Sequence, residues 1–91
     1  MSELQALLFV RHGTHGNFHE VAAIAQTIKA TFRGSSNWQR MSVAQRDALD
    51  CIAMKVARIC SGDQNHRDHW VDVAGYAQLV ADALASEEGA E

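Results

Sequence analysis

Asn17-Phe18-His19-Glu20-Val21-Ala22-Ala23-Ile24-Ala25-Gln26-Thr27-Ile28-Lys29-Ala30-Thr31-Phe32-Arg33-Gly34 decides the fold of this chain. Asn17 is a good N-cap, and Glu20 follows three residues later, close to a capping box with Asn in the place of Ser or Thr. Val21, Ala25, Ile28 and Phe32 then recur at helical spacing as one apolar stripe. Gly34 supplies the stop. The segment therefore predicts an amphipathic helix over 18–33.

The same logic extends in both directions. Upstream, Ser2 caps a helix expected over 3–11, in which Leu4, Leu7, Leu8 and Arg11 follow helical spacing. His12-Gly13-Thr14-His15-Gly16 reads as a loop, because two glycines so close together break a helix. Downstream, Ser35 to Arg40 is a polar loop whose Trp38 is expected to fold back onto the core. Ser42-Val43-Ala44-Gln45 is a capping box that opens a helix over 43–61, without the usual hydrophobic staple because Arg46 stands at its second position. Ala48, Leu49, Ile52, Val56 and Ile59 make its expected core face. After the loop 62–68, Asp68 is placed to cap a fourth helix over 69–86. Trp70, Val73, Ala77, Val80 and Leu84 form its buried stripe, and Gly75 inside it suggests close approach of another helix or a ligand. Residues 87–91 are expected to be a frayed acidic tail.

This gives an all-α fold, a small bundle of about four helices in one domain over 1–86. A chain of 91 residues fits no more than that. It contains no proline, so nothing forces a helix break. So short a chain buries a modest share of its surface. Self-association would bury more, and a homo-oligomer stays open.

Charge and composition narrow the partners. The net charge of −3 makes a general nucleic-acid binder unlikely, since phosphates need excess positive charge. No apolar run approaches the roughly 20 residues of a membrane span. The opening residues lack a basic segment before an apolar run, so no signal peptide is expected. Cys51 and Cys60 stand nine apart on one helix, on opposite sides, and cannot pair within it. Free thiols fit a reducing cytoplasm.

The densest polar cluster runs from Lys55 to Tyr76. Lys55 and Arg58 lie late on the third helix; His66, Arg67, Asp68, His69 and Asp72 lie in the loop and on the fourth. Antiparallel packing would bring them to one end of the bundle, where Arg58 could face Asp72 and Lys55 could face Tyr76. The amino end of the fourth helix adds partial positive charge. These residues, with Trp70 and Tyr76 as lining, form the candidate site for a phosphate-bearing ligand. Their plain structural reading is a salt bridge between helices, with Asp68 a cap and Trp70 core. His66, His69 and Asp72 are weak metal candidates, and His15 with His19 forms a further pair, but no thiolate joins either set at ligand spacing. Solvated surface histidines are the simpler reading. Nucleophile elbows and glycine-rich phosphate loops are absent from the sequence.

Lys55-Val56-Ala57-Arg58, followed by His66-Arg67-Asp68-His69-Trp70-Val71-Asp72-Val73-Ala74-Gly75-Tyr76-Ala77, resembles a family of small phage and prophage proteins of unknown function. Arg11-His12-Gly13 with Gly16-Asn17-Phe18 is similar to a motif near the start of those chains. The resemblance runs from about Arg11 to Ala83 and implies a phage or prophage origin, without an activity. A weaker likeness is to the MazG-like all-α nucleotide pyrophosphohydrolases, which hold magnesium with paired helix-borne acids. It implies Glu20, Asp47, Asp50, Asp68 and Asp72 as magnesium ligands, although the paired acidic motifs are not reproduced. No cofactor is expected otherwise. Three functions follow: a module binding a nucleotide or other phosphate-bearing ligand, a magnesium-dependent pyrophosphohydrolase, or a non-enzymatic protein that binds a host factor.

Overall fold

The computed structural model describes residues 2–89. Four α-helices follow one another: α1 (Glu3–His15), α2 (Phe18–Arg33), α3 (Val43–Ser61) and α4 (Arg67–Gly89), with a single 3₁₀ turn at Trp38–Arg40. The fold is a small all-α bundle. Its caps are those the sequence prescribes. Ser2 and Ser42 each close a full capping box, with Gln5 and Gln45. The Asn17 side chain accepts from the backbone N–H groups of His19 and Glu20. These caps satisfy amide donors that an isolated helix end leaves open.

α3 is the centre of the bundle. α2 packs on one side of it and α4 on the other, whereas α2 and α4 hardly meet. Both neighbours run antiparallel to α3, as the pairs Arg33–Asp50 and Lys55–Asp72 show. Small residues set the closeness of the α2–α3 seam. Ala25 and Ala57 are completely buried and Val21 nearly so, with Ile24 and Met54 packed around them. Ala53 is also buried. The residues expected in the α3 core, Ala48, Leu49, Ile52, Val56 and Ile59, are half-buried.

Trp38 folds onto the core as expected and is 7% exposed. Its ring stacks on Phe32, and the guanidinium groups of Arg33 and Arg46 lie over it at 5.3 and 5.7 Å. Arg46 also donates to the carbonyls of Trp38 and Gln39, both at 2.9 Å. The position that would otherwise complete a hydrophobic staple is thus used to tie down the α2–α3 connection.

Three helix boundaries differ from the sequence reading. α1 continues four residues past Arg11, through Gly13, before Gly16 ends it. The reason lies at its carboxyl end, where the last carbonyls of a helix lack intrahelical donors. The Thr14 carbonyl accepts from the Asp63 backbone N–H at 3.2 Å and from His69 Nε2 at 3.0 Å. Those tertiary bonds stabilise the extra turn that propensity disfavours. Backbone crowding supports the same junction. Gly16 has φ +85°, and a Cβ placed on Gly62 would collide with the Thr14 carbonyl and the His15–Gly16 peptide. Only glycine allows this approach.

α4 begins at Arg67, so Asp68 sits in its first turn and is not the cap. At the other end α4 runs through Gly89, so part of the segment expected to be frayed is helical; Ala90 and Glu91 lie outside the described residues. The buried stripe expected on α4 is only partly formed. Val73 and Val80 are half-buried, but Ala77 is exposed, Leu84 is 42% exposed and Trp70 is 55% exposed. With α2 on the far side of α3, α4 packs chiefly against α3, so much of its apolar surface stays open. A Cβ on Gly75 would meet nothing within 4 Å, so the close approach expected there is not made within the chain.

Candidate functional site

Antiparallel packing brings the end of α3 beside the start of α4, and the cluster from Lys55 to Tyr76 separates there into three groups. The first is a closed seam. Lys55 Nζ lies 2.9 Å from Asp72 Oδ2, so the ion pair between α3 and α4 is Lys55–Asp72 and not Arg58–Asp72. The hydrogen bond from Lys55, with its charge adding to it, holds the Asp72 carboxyl below its ordinary range. Tyr76, one turn further along α4, lies beside Cys51 rather than Lys55. The neighbouring Cys51 side chain, then burial, raise the Tyr76 phenol, and Asp72 and Asp47 add to this.

The second group is exposed. Arg67 and Asp68 lie in the first turn of α4 and face solvent. Trp70, expected in the core, lies on the surface with its indole N–H donating to the Gln64 carbonyl at 2.9 Å. It pins the α3–α4 loop and lines no site with Lys55.

The third group is a histidine cluster at the α1 junction. His69 is 1% exposed, the opposite of a solvated histidine. Because a carbonyl only accepts, its bond to Thr14 places the proton on Nε2. The His15 ring packs edge-on against His69 at 4.7 Å between centroids, and His66 lies 4.7 Å from His69 and 5.9 Å from His15. The Thr14 hydroxyl meets His15 Nδ1. Burial, followed by the charges of His69, Arg11, Arg58 and His66, lowers the His15 pKa to about 4.

Beside this cluster lies a cavity of about 430 Å³ between α1, α2 and α3. Arg58 opens into it from α3, Arg11, His12 and His15 from α1, and His19 from α2. Leu8, Phe18, Val21, Ala22 and Met54 supply apolar wall, and the lining contains no carboxylate. The amino end of α2 forms one edge. Asn17 satisfies the His19 and Glu20 N–H groups, and the Phe18 N–H has no intrahelical acceptor. Among the described residues the ion pairs are Arg33–Asp50 and Lys55–Asp72, and neither Arg11 nor Arg58 takes part in one. Of the residues read as a site from the sequence, the cavity therefore contains Arg58 alone. It adds Arg11, His12, His15 and His19. The sequence signal for Arg11 and His12 was the Arg11-His12-Gly13 motif, read there as a mark of the resemblance; His15 and His19 were read as a further metal pair and not as a lining.

The acids do not assemble. Asp50 pairs with Arg33, Asp72 pairs with Lys55, Asp47 is 4.0 Å from the Cys51 thiol, and Glu20 is in the first turn of α2. Among the described residues no three His, Cys, Asp or Glu side chains are placed to share a metal ion, and that includes His66, His69 and Asp72. None of the described helices is long and apolar enough to cross a membrane.

These features define a small all-α protein with an acid-free cationic cavity at the root of its first helix. The chain belongs to the DUF6378 family, a domain of unknown function, whose model matches residues 4–84. No curated protein and no solved structure matches it.

Proposed function

We propose that the protein is a binding module for a phosphate-bearing small molecule, a nucleotide or a related anion, held in the cavity between α1, α2 and α3. One observation supports this above the others. On a chain of net charge −3, two guanidinium groups outside any ion pair open into one cavity whose lining has no carboxylate. Guanidinium binds phosphate oxygens in a bidentate manner, and a helix amino end adds partial positive charge. The volume of about 430 Å³ falls within the roughly 300–1,000 Å³ of small-molecule sites. Leu8, Phe18 and Met54 offer apolar surface to a base or other flat group.

The family signature from Lys55 to Ala77 supports a phage or prophage origin, and free Cys51 and Cys60 support a reducing, cytoplasmic setting. The pyrophosphohydrolase alternative would need acids gathered around a metal, and Asp50 and Asp72 are engaged elsewhere.

Titration calorimetry with pyrophosphate and with nucleoside mono-, di- and triphosphates tests the reading. Arg58→Met, which keeps the stem and removes the fork, is expected to weaken binding at least about tenfold. Arg67→Met, exposed in the first turn of α4 and outside the cavity, is expected to leave it unchanged. A wild-type chain that binds none of these anions at about millimolar concentration rejects the proposal.

A further inference from the structure

The protein exposes more surface than a folded monomer of its size. A 10.0 kDa monomer is expected to present about 5,200 Å² to water, whereas this chain presents 6536 Å². Its radius of gyration is 15.9 Å, against about 12 Å for a compact chain of this length. Among the described residues the buried apolar side chains are only Val21, Ala25, Trp38, Ala53 and Ala57.

Five of the exposed large apolar side chains lie together on α1. Its carboxyl end is fixed to α3 and α4, but the half before it leaves the bundle. Leu4, Leu7, Leu8, Phe9 and Val10 are 55–73% exposed. The stretch Leu4-Gln5-Ala6-Leu7-Leu8-Phe9-Val10 contains no charge, with Glu3 at one end and Arg11 at the other.

We infer that the amino-terminal half of α1 is the interface of a homodimer, covered by the same segment of a second copy. Three features select that occupant. First, the excess area of the whole chain, about 1,300 Å², to which α1 contributes, leaves room for the roughly 800 Å² each partner gives to a standard interface. Second, an isologous antiparallel pairing centred on Leu7 lays the uncharged stretch Leu4–Val10 of each copy along that of the other and opposes no like charges across the two-fold axis. Third, a chain with so few buried apolar residues needs this surface covered whenever it is folded, and a second copy is always at hand. The exposed apolar residues of α4, Trp70, Val71, Leu79 and Leu84, are spread along the helix and interrupted by Asp72 and Asp82. The pairing also steadies the cavity wall, since Leu8, Arg11 and His12 all ride on α1.

Sedimentation equilibrium on the full chain tests the inference. The wild type is expected to sediment at twice 10.0 kDa. Leu7→Glu places a charge on a side chain exposed in the single copy, so helicity by circular dichroism is expected to persist while dimer dissociation strengthens at least about a hundredfold. Leu79→Glu on α4 is expected to leave the dimer intact. In a Cys51→Ser, Cys60→Ser background, Leu7→Cys is expected to cross-link to its own copy on mild oxidation, since the two-fold axis passes beside it. A wild type that remains monomeric at about 0.1 mM, a Leu7→Glu dimer as tight as the wild type, or dissociation by Leu79→Glu instead would each overturn the inference.

Discussion

Lowering the pH should weaken this fold through His15. In the folded chain burial, followed by the neighbouring His69, Arg11, Arg58 and His66, holds its imidazole at about 4, against 6.5 when it is free. The unfolded chain therefore takes up the proton first. Above about pH 7.5 both states are neutral at this site and it contributes nothing to the pH dependence. As the pH falls from 6.5 towards 4, the unfolded state alone gains the proton and stability is lost; below 4 the loss levels off. Full conversion of the shift gives about 2 kcal/mol at pH 5. The ring is only half-buried and water screens its neighbours, so about 1 kcal/mol is the expected loss. For a domain whose total stability is about 5–14 kcal/mol this is measurable. Urea unfolding at about pH 7.5 and about pH 5, at one protein concentration, reads it directly. His15→Gln cannot titrate, and its stability is expected to fall by about 1 kcal/mol less than the wild type's over the same interval. Asp72, held low by Lys55, titrates below this window and does not confuse the comparison. An NMR titration that places the folded His15 near 6.5, or a His15→Gln variant with the same pH slope as the wild type, refutes the reasoning.

Two further substitutions probe the junctions that hold α1 and the α2–α3 connection. Gly62→Ala drives a methyl group into the Thr14 carbonyl and the Gly16 amide, both backbone atoms that cannot rotate away. It is expected to cost at least about 2 kcal/mol in urea unfolding and to loosen α1, seen as faster amide exchange at Gly16 and Asp63. Trp38→Ala removes a buried ring together with the face over which Arg33 and Arg46 lie. A loss of about 3–5 kcal/mol is expected by the same measurement.

Most of the fold was legible because its signals are local. The N-caps at Ser2, Asn17 and Ser42 and the stops at Gly34 and Gly62 depend on residues within one turn of each other, and α2 and α3 start and end as expected. The misreadings share a different cause. α1 continues past Gly13 because Asp63 and His69, far along the chain, supply donors to the Thr14 carbonyl. Trp70 follows the spacing of a core residue, yet periodicity cannot say whether a helix exists on the other side to bury it. In the same way, spacing brought Lys55, Arg58 and Asp72 to one end of the bundle, but which cation meets the carboxylate depends on the crossing of α3 and α4. One turn separates Lys55 from Arg58, and that turn decides which is closed in a salt bridge and which opens into a cavity.

That division links the fold to the chemistry proposed for it. Lys55–Asp72 sets the register of α4 on α3, and the same register sets His69 beneath the Thr14 carbonyl. His69 and Gly62 then hold the root of α1, and the root directs Arg11 and Leu8 over the amino end of α2. The cavity thus depends on a chain of contacts that starts on the central helix at Lys55 and returns to it at Arg58. If α1 were released, Arg58 would remain in place, but its companion guanidinium and the Leu8 part of the apolar wall would leave. An anion that binds across the gap would draw Arg11 and Arg58 together, and so favour the arrangement in which α1 is seated. Ligand affinity and the order of α1 are therefore coupled, and a loosened junction at Gly62 should weaken anion binding even though residue 62 lines no part of the cavity.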